Sequence, residues 1–294
     1  MIEDLHNKLN GNGFVIIDLL EQIDIAYLNQ LCDKYLKANQ ADFVSSSHIL
    51  NKNDSDFINA ELHRIIHEKF TILFPDLQLL GGTLATKTKG ISNLKAHQDW
   101  TIVDESKYNS YNLWIPLVDT NQENGTLGLI TGSHLWNHNL RGFGIPNEFE
   151  KFTDQFLKIG YEPELKAGQA ILYNHRLIHY SRPNKTNKNR NTAIVGVKDK
   201  AADLQISFSI NGKDIDTYTM TESEFYQFDT NRIIATQTKL HSNSFNKTEI
   251  KWNDIYSAFT KYASQEIFND INVKNDHLSI WNKIINRFFY QKKT

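Results

Sequence analysis

The chain has 294 residues, a formal net charge of −2 and a single cysteine. That length buries a substantial core in one large or two small domains. Balanced charge raises no general field toward nucleic acid or an anionic membrane, and Cys32 alone excludes an intrachain disulfide and argues against a cystine-stapled secreted fold. Met1 to Asn10 lacks the apolar stretch of a signal peptide, and no apolar run approaches the roughly 20 residues of a spanning helix. The expectation is a soluble, cytoplasmic protein with no nucleic-acid or membrane partner.

In chain order, Phe14-Val15-Ile16-Ile17 predicts a short strand, and Leu19 to Leu36 carries Leu20, Ile23, Tyr27, Leu28, Leu31 and Leu36 at helical spacing. A polar loop, Asn51 to Asp56, precedes a second predicted helix from Phe57 to Phe70. The texture then changes. Thr83 to Thr88, Asn112 to Val118, Leu127 to Ile130, Gln169 to Tyr173 and Thr192 to Val197 are short, rich in β-formers and separated by Gly, Asn or Asp turns. Strands in that number without intervening helices point to a sandwich or barrel, and a jelly roll fits best. From His134 to Lys166 the strand pattern lapses into a long insertion, helical at Phe149 to Leu157, of the kind that forms lids. Leu204 to Ile210 and Asp214 to Met220 flank Asn211-Gly212, a two-residue hairpin signal. Helical spacing returns from Ile250 to Phe289, at Trp252, Ile255, Phe259 and Tyr262, then at Ile280, Ile284, Ile285 and Phe288. These last helices would pack onto the barrel or into a homodimer.

His97-Gln98-Asp99 sets an imidazole and a carboxylate two residues apart, on one side of an extended backbone. His179, downstream of the predicted strand at Gln169 to Tyr173, supplies a second imidazole. Two His and one carboxylate on one face of a metal leave adjacent coordination positions open, the arrangement of non-haem Fe(II) oxygenases. Arg190, eleven residues beyond His179, adds a fixed cation for a dicarboxylate co-substrate. His175 is the rival third ligand, because it would face the same side of a strand four residues earlier. His63 and His67 sit at helical i, i+4 spacing but lack the Glu of a metalloprotease helix. His134 reads as a structural or supporting residue, and His138 lies in the insertion without informative spacing.

The block from Gly82 to Val197 resembles the phytanoyl-CoA dioxygenase family of Fe(II)/2-oxoglutarate oxygenases. The matching stretches are His97-Gln98-Asp99, Leu113-Trp114-Ile115-Pro116-Leu117, Glu123 to Leu127 running to Thr131-Gly132-Ser133-His134, and Gly168 to Leu172 running to His179, with Pro183-Asn184-Lys185-Thr186 and Arg190 after it. The resemblance implies a mainly β fold with helical flanks, in which a double-stranded β-helix (jelly-roll, cupin-like) core is packed by N- and C-terminal α-helices. One domain over 1–294 then divides into a helical flank (1–80), the core (81–200, lid insertion 134–166) and a hairpin with C-terminal helices (201–294).

The resemblance also implies Fe(II) ligands at His97, Asp99 and His179, with His179 preferred over His175 for its spacing to Arg190. Arg190 would hold the distal carboxylate of 2-oxoglutarate and Trp114 would set an aromatic ring against it. Asn184 and Thr83 are weaker polar contacts. The implied reaction consumes O2 and 2-oxoglutarate, releases succinate and CO2, and hydroxylates a C–H bond of a small-molecule substrate. Desaturation or epimerisation by the same iron chemistry is an alternative. Halogenation is not expected, because related halogenases carry Gly or Ala where Asp99 stands. A non-redox, cupin-like ligand sensor is a further alternative, against which Arg190 argues. Selectivity is expected from Trp100 to Tyr111, from the insertion with Trp136, Arg141 and Phe143, and from the Asn211-Gly212 hairpin.

Overall fold

A computed structural model describes residues 2–36, 41–136, 139–245 and 249–263. The N-terminal part gives α1 (Ile2–Asn12), β1 (Phe14–Asp18), α2 (Gln22–Tyr35), β2 (Phe43–Ser45), α3 (Ser46–Ile49) and α4 (Lys52–Leu73). The central part gives β3 (Leu77–Lys87), β4 (Leu94–His97), β5 (Ser110–Pro116), β6 (Leu127–Leu129), α5 (Thr153–Ile159), β7 (Gln169–Asn174), β8 (His179–Ser181) and β9 (Arg190–Asp199). Then follow β10 (Gln205–Phe208), β11 (Asp214–Thr219), α6 (Glu222–Tyr226), α7 (Thr230–Thr236), β12 (Lys239–Ser244) and α8 (Trp252–Tyr262).

From β3 to β9 the chain alternates between two antiparallel sheets. A six-stranded sheet has the order β1-β7-β5-β9-β3-β2, and a three-stranded sheet has the order β4-β8-β6. Period-two alternation sends β1, β5, β7 and β9 of the large sheet into two cores. Leu113, Ile115, Leu172, Val195 and Val197 face helices α2 and α4, whereas Trp114, Ile171 and Tyr173 face Leu127 and Leu129 of the small sheet. α4 presents Ile58, Leu62, Ile66 and Phe70, each four residues apart and at most 1 % exposed, to the large sheet. Each such burial stabilises the fold by about 1.5–3 kcal/mol. The large sheet is therefore held rigid from behind, and its other face is free to build a site.

Several boundaries differ from expectation. Asn51 to Asp56 is not a loop. Asn51 caps α4 by accepting from the Asp54 amide at 3.1 Å, and the polar residues form an exposed first turn. α1 was not expected, and β12 carries only exposed side chains, which leaves no hydrophobic alternation to read. The Asn211-Gly212 turn is wider than a two-residue hairpin. Phe208 pairs with Asp216, and the Asn211 side chain closes the loop by accepting from the Lys213 and Asp214 amides.

The insertion is partly an integral wall. Phe149, Phe152, Phe156 and Ile159 are buried against Ile130 and against Ile255 and Phe259 of α8. Residues 280–288 and His138 lie outside the described residues. Among the described residues, no helix is long and apolar enough to cross a membrane.

Candidate metal centre

β4 and β8 are register partners, and His97 lies directly opposite His179. Their rings sit 4.2 Å apart. Asp99 lies two residues past the end of β4, and its amide donates to the His175 carbonyl at 2.9 Å, which turns the carboxylate back over the pair. Asp99 Oδ1 is 3.8 Å from His97 Nε2 and 3.7 Å from His179 Nε2. One atom from each of the three lies within 4.8 Å of the others, and no other such group of His, Cys, Asp or Glu occurs among the described residues. His175 is not in this group.

The surroundings point those atoms inward. His97 Nδ1 is 2.8 Å from the Lys95 carbonyl and His179 Nδ1 is 2.9 Å from the Leu177 carbonyl, so each ring donates there and leaves Nε2 as a lone pair. Asn112 Nδ2 donates to Asp99 Oδ2 at 2.9 Å and leaves Oδ1 available. Burial, then the His97 charge, pushes His179 down to about 4, so at neutral pH it is an unprotonated imidazole. Burial raises the Asp99 carboxyl, but the three histidines and the Asn112 bond outweigh it and bring it to about 2. The Tyr173 hydroxyl lies 3.5 Å from His179 Nε2 and is held neutral by burial and by the Asp99 charge. The two imidazoles and the ionised carboxylate form a donor set that fits Fe(II).

Arg190 is 3 % exposed at the start of β9. One Nη donates to the Gly125 carbonyl and to Ser181 Oγ, two residues past His179, while its Nε has no hydrogen-bond partner. Gly125 adopts a φ of 78°, and a Cβ there would collide with the Arg182 carbonyl, so glycine is what lets the Gly125 carbonyl reach the guanidinium. Trp114 stacks on Arg190, with the guanidinium carbon 5.4 Å from the ring centroid. Lys87 is the register partner of Arg190 and is also 3 % exposed, with Nζ on Ser181 Oγ at 3.0 Å and the Arg182 carbonyl at 2.6 Å. Burial, then the Arg190 charge, pushes Lys87 down to about 7. No carboxylate among the described residues pairs with either cation. Two buried cations and a free guanidinium N–H, joined to the candidate metal cluster through β8, fit a bound dicarboxylate.

Trp114 thus joins Arg190, but Asn184 and Thr83 are not brought into the cluster. The Asn184 amide donates to the Lys87 and Lys188 carbonyls, and its oxygen accepts from Thr186. The Thr83 hydroxyl bonds Ser45, Ser46 and the Ser47 amide. Lys87, Ser181 and Asn112 were not anticipated. Lys87 ends a run of β-formers, and only the strand register reveals its neighbour. Arg141 is no free cation for a substrate acid, because both Nη groups bind Glu105 and its Nε donates to the Asp99 carbonyl at 2.6 Å. His63 bonds the Leu80 carbonyl and His134 the Asn10 carbonyl, so both serve packing.

A chamber of about 310 Å³ borders the cluster and is walled beyond it by Trp100, Ile206, Met220, Phe225 and Phe228. An outer cleft of about 650 Å³ shares His97, Gln98 and Trp100 with it and runs between the insertion and β12.

Sequence comparison assigns residues 32–192, more than half of the chain, to the family described as Phytanoyl-CoA dioxygenase (PhyH). The chain belongs to that family, whose members are non-haem enzymes dependent on Fe(II), 2-oxoglutarate and O2. Among solved structures it is similar to the epimerase SnoN in complex with Fe3+, alpha ketoglutarate and nogalamycin RO (TM-score 0.53, 16% identity, covering 69% of this chain and 85% of that one). It is also similar to the non-haem alpha ketoglutarate dependent carbocyclase SnoK from nogalamycin biosynthesis (TM-score 0.52, 16% identity, 69% and 85%). HygX from Streptomyces hygroscopicus, with nickel and 2-oxoglutarate bound, gives a TM-score of 0.51 at 16% identity, covering 67% and 87%. At these identities the likeness is one of fold. No curated protein sequence matches the chain.

Proposed function

We propose that the chain is a 2-oxoglutarate-dependent dioxygenase that hydroxylates a C–H bond of a small-molecule metabolite in the cytoplasm and releases succinate and CO2. The observation that carries this reading is the junction of two features on β8. The three metal-ligand atoms lie within 4.8 Å of one another, and Ser181, two residues past His179, touches both buried cations. A metal-binding sensor has no need of such an anion seat.

Strands that alternate between the two sheets from β3 to β9 read as a double-stranded β-helix in a single domain, and the ligands come from one mouth of it. In this reading His97, Asp99 and His179 hold Fe(II). Arg190 and Lys87, with Ser181 between them and Trp114 stacked on the guanidinium, receive the far carboxylate of 2-oxoglutarate. Once bound, iron with 2-oxoglutarate and O2 supplies oxidative decarboxylation and the oxidation of an unactivated C–H bond. The protein positions and excludes. The Lys95 and Leu177 carbonyls fix the imidazole tautomers, Asn112 orients the Asp99 carboxylate, and the buried face of Trp114 keeps water from Arg190. Asp99 occupies the position that a halide would need, so oxygen insertion is the expected outcome.

The test is anaerobic addition of Fe(II) and 2-oxoglutarate, followed by exposure to air with a metabolite panel. A visible charge-transfer band, then succinate stimulated by one compound that gains oxygen, is expected. A wild-type protein without the band, or a chlorinated product, would contradict the reading.

A further inference from the structure

The chamber beside the cluster is lined by a residue with a buried polar atom that the metal and co-substrate reading leaves unused. His175 lines it and is 2 % exposed. Its ring is held at one end, where Nδ1 is 2.9 Å from Ser110 Oγ, and its backbone is fixed by bonds to the Ser110 carbonyl and the Asp99 amide. The other end, Nε2, is buried without a hydrogen-bond partner. A buried unpaired ring nitrogen costs stability unless something else completes it. Other polar side chains of the chamber are engaged: Asp99 and His97 in the cluster, Asn112 on Asp99, and Gln98 on the Arg176 carbonyl.

The rest of the wall is apolar and comes from separate parts of the chain. Trp100 packs on Phe228 with ring centroids 5.0 Å apart, and Ile206, Met220 and Phe225 continue the surface. Four of these five residues lie after residue 192, outside the family match, on β10 and the segment around α6. No lysine or arginine lines the chamber. A carboxylate or phosphate placed there would find no side-chain cation to pair with.

We propose that His175 is a specificity-determining residue. Its Nε2 holds a hydroxyl or carbonyl on an uncharged substrate whose apolar ring lies against Trp100, Met220 and Phe228. The proposal rests on the iron and 2-oxoglutarate reading of the same site and names the chemistry of what is oxidised there. One neutral hydrogen bond and one apolar wall fit a hydroxylated or keto-bearing ring and disfavour an anionic group beside the reacting carbon.

The experiment uses the full chain loaded anaerobically with Fe(II) and 2-oxoglutarate, probed by ligand-observed NMR with 2-naphthol and 2-naphthyl phosphate. The wild-type complex binds 2-naphthol and prefers it over the phosphate by at least about tenfold, the scale of an uncompensated buried charge. His175→Phe weakens 2-naphthol by about tenfold, the scale of one neutral hydrogen bond, and leaves the charge-transfer band intact. Phe228→Ala, on the opposite wall, weakens both probes and also keeps the band. Absence of 2-naphthol binding to the banded wild-type complex would overturn the proposal, as would equal binding of the phosphate or unchanged affinity in His175→Phe. Absence of the band in wild type would instead remove the underlying reading, and this proposal with it.

Discussion

Lys87 and Arg190 face each other across the β3–β9 register as two buried cations that share Ser181 and have no carboxylate partner among the described residues. Such a pair is costly in the empty protein and becomes favourable when a dianion arrives. Arg190→Ala should weaken 2-oxoglutarate by about 100-fold or more, from loss of a buried charge-assisted pair. Fe(II) binding should be nearly unchanged. Calorimetry with 2-oxoglutarate, against a chelator competition for iron, checks both halves.

Lys87 gives the site a pH dependence of defined sign. Its folded pKa is lowered to about 7, so without co-substrate the ammonium is lost as pH rises through that value. A bound carboxylate favours the charged form, and binding then takes up a proton above pH 7. Affinity for 2-oxoglutarate should fall as pH rises from about 7 to 9, by at most about tenfold per unit. In Lys87→Met the affinity should be lower at pH 7 and the slope should vanish. The same lowered pKa makes the empty protein gain stability as pH rises from about 7 toward the unfolded lysine value, which thermal melts across that window can follow.

Asn112 holds the Asp99 carboxylate by donating to its Oδ2. Asn112→Ala should weaken Fe(II) by about 10–100-fold, the usual cost of losing a group that orients a ligand, with little change in melting temperature. Asn112→Asp, which puts a second anion against Asp99, should be worse at neutral pH than at pH 5.

Arg141 ties the insertion to the metal loop, since its guanidinium bridges Glu105 and the Asp99 carbonyl in a largely buried pair. Glu105→Gln leaves the guanidinium under-compensated and should cost about 3–5 kcal/mol. The double variant Arg141→Met with Glu105→Leu should recover much of that stability and still bind iron less tightly. Chemical denaturation and iron titration separate the two effects.

The clustering of His97, Asp99 and His179 was legible because a strand's two-residue period forces His97 and Asp99 to one side, and because His179 and Arg190 keep a fixed separation. The large sheet was legible for a related reason: with Leu113 and Leu172 on one face and Trp114 and Ile171 on the other, its buried strands are apolar throughout. What stayed hidden depends on pairings that no local pattern encodes. Lys87 looks like a solvated strand end until β9 is laid beside it. The chamber wall was hidden for the same reason, since Met220 and Phe228 carry no motif and acquire meaning only when β10 and β11 fold back over Trp100. The exposed strand β12 and the capped first turn of α4 are polar, and polarity alone reads as loop.

The most direct measurement is the Fe(II) stoichiometry of wild type, His179→Ala and His175→Ala under anaerobic conditions. One iron per chain is expected in wild type and in His175→Ala, and loss of iron in His179→Ala. Retention of full stoichiometry in His179→Ala, with loss in His175→Ala, would contradict the metal centre described above.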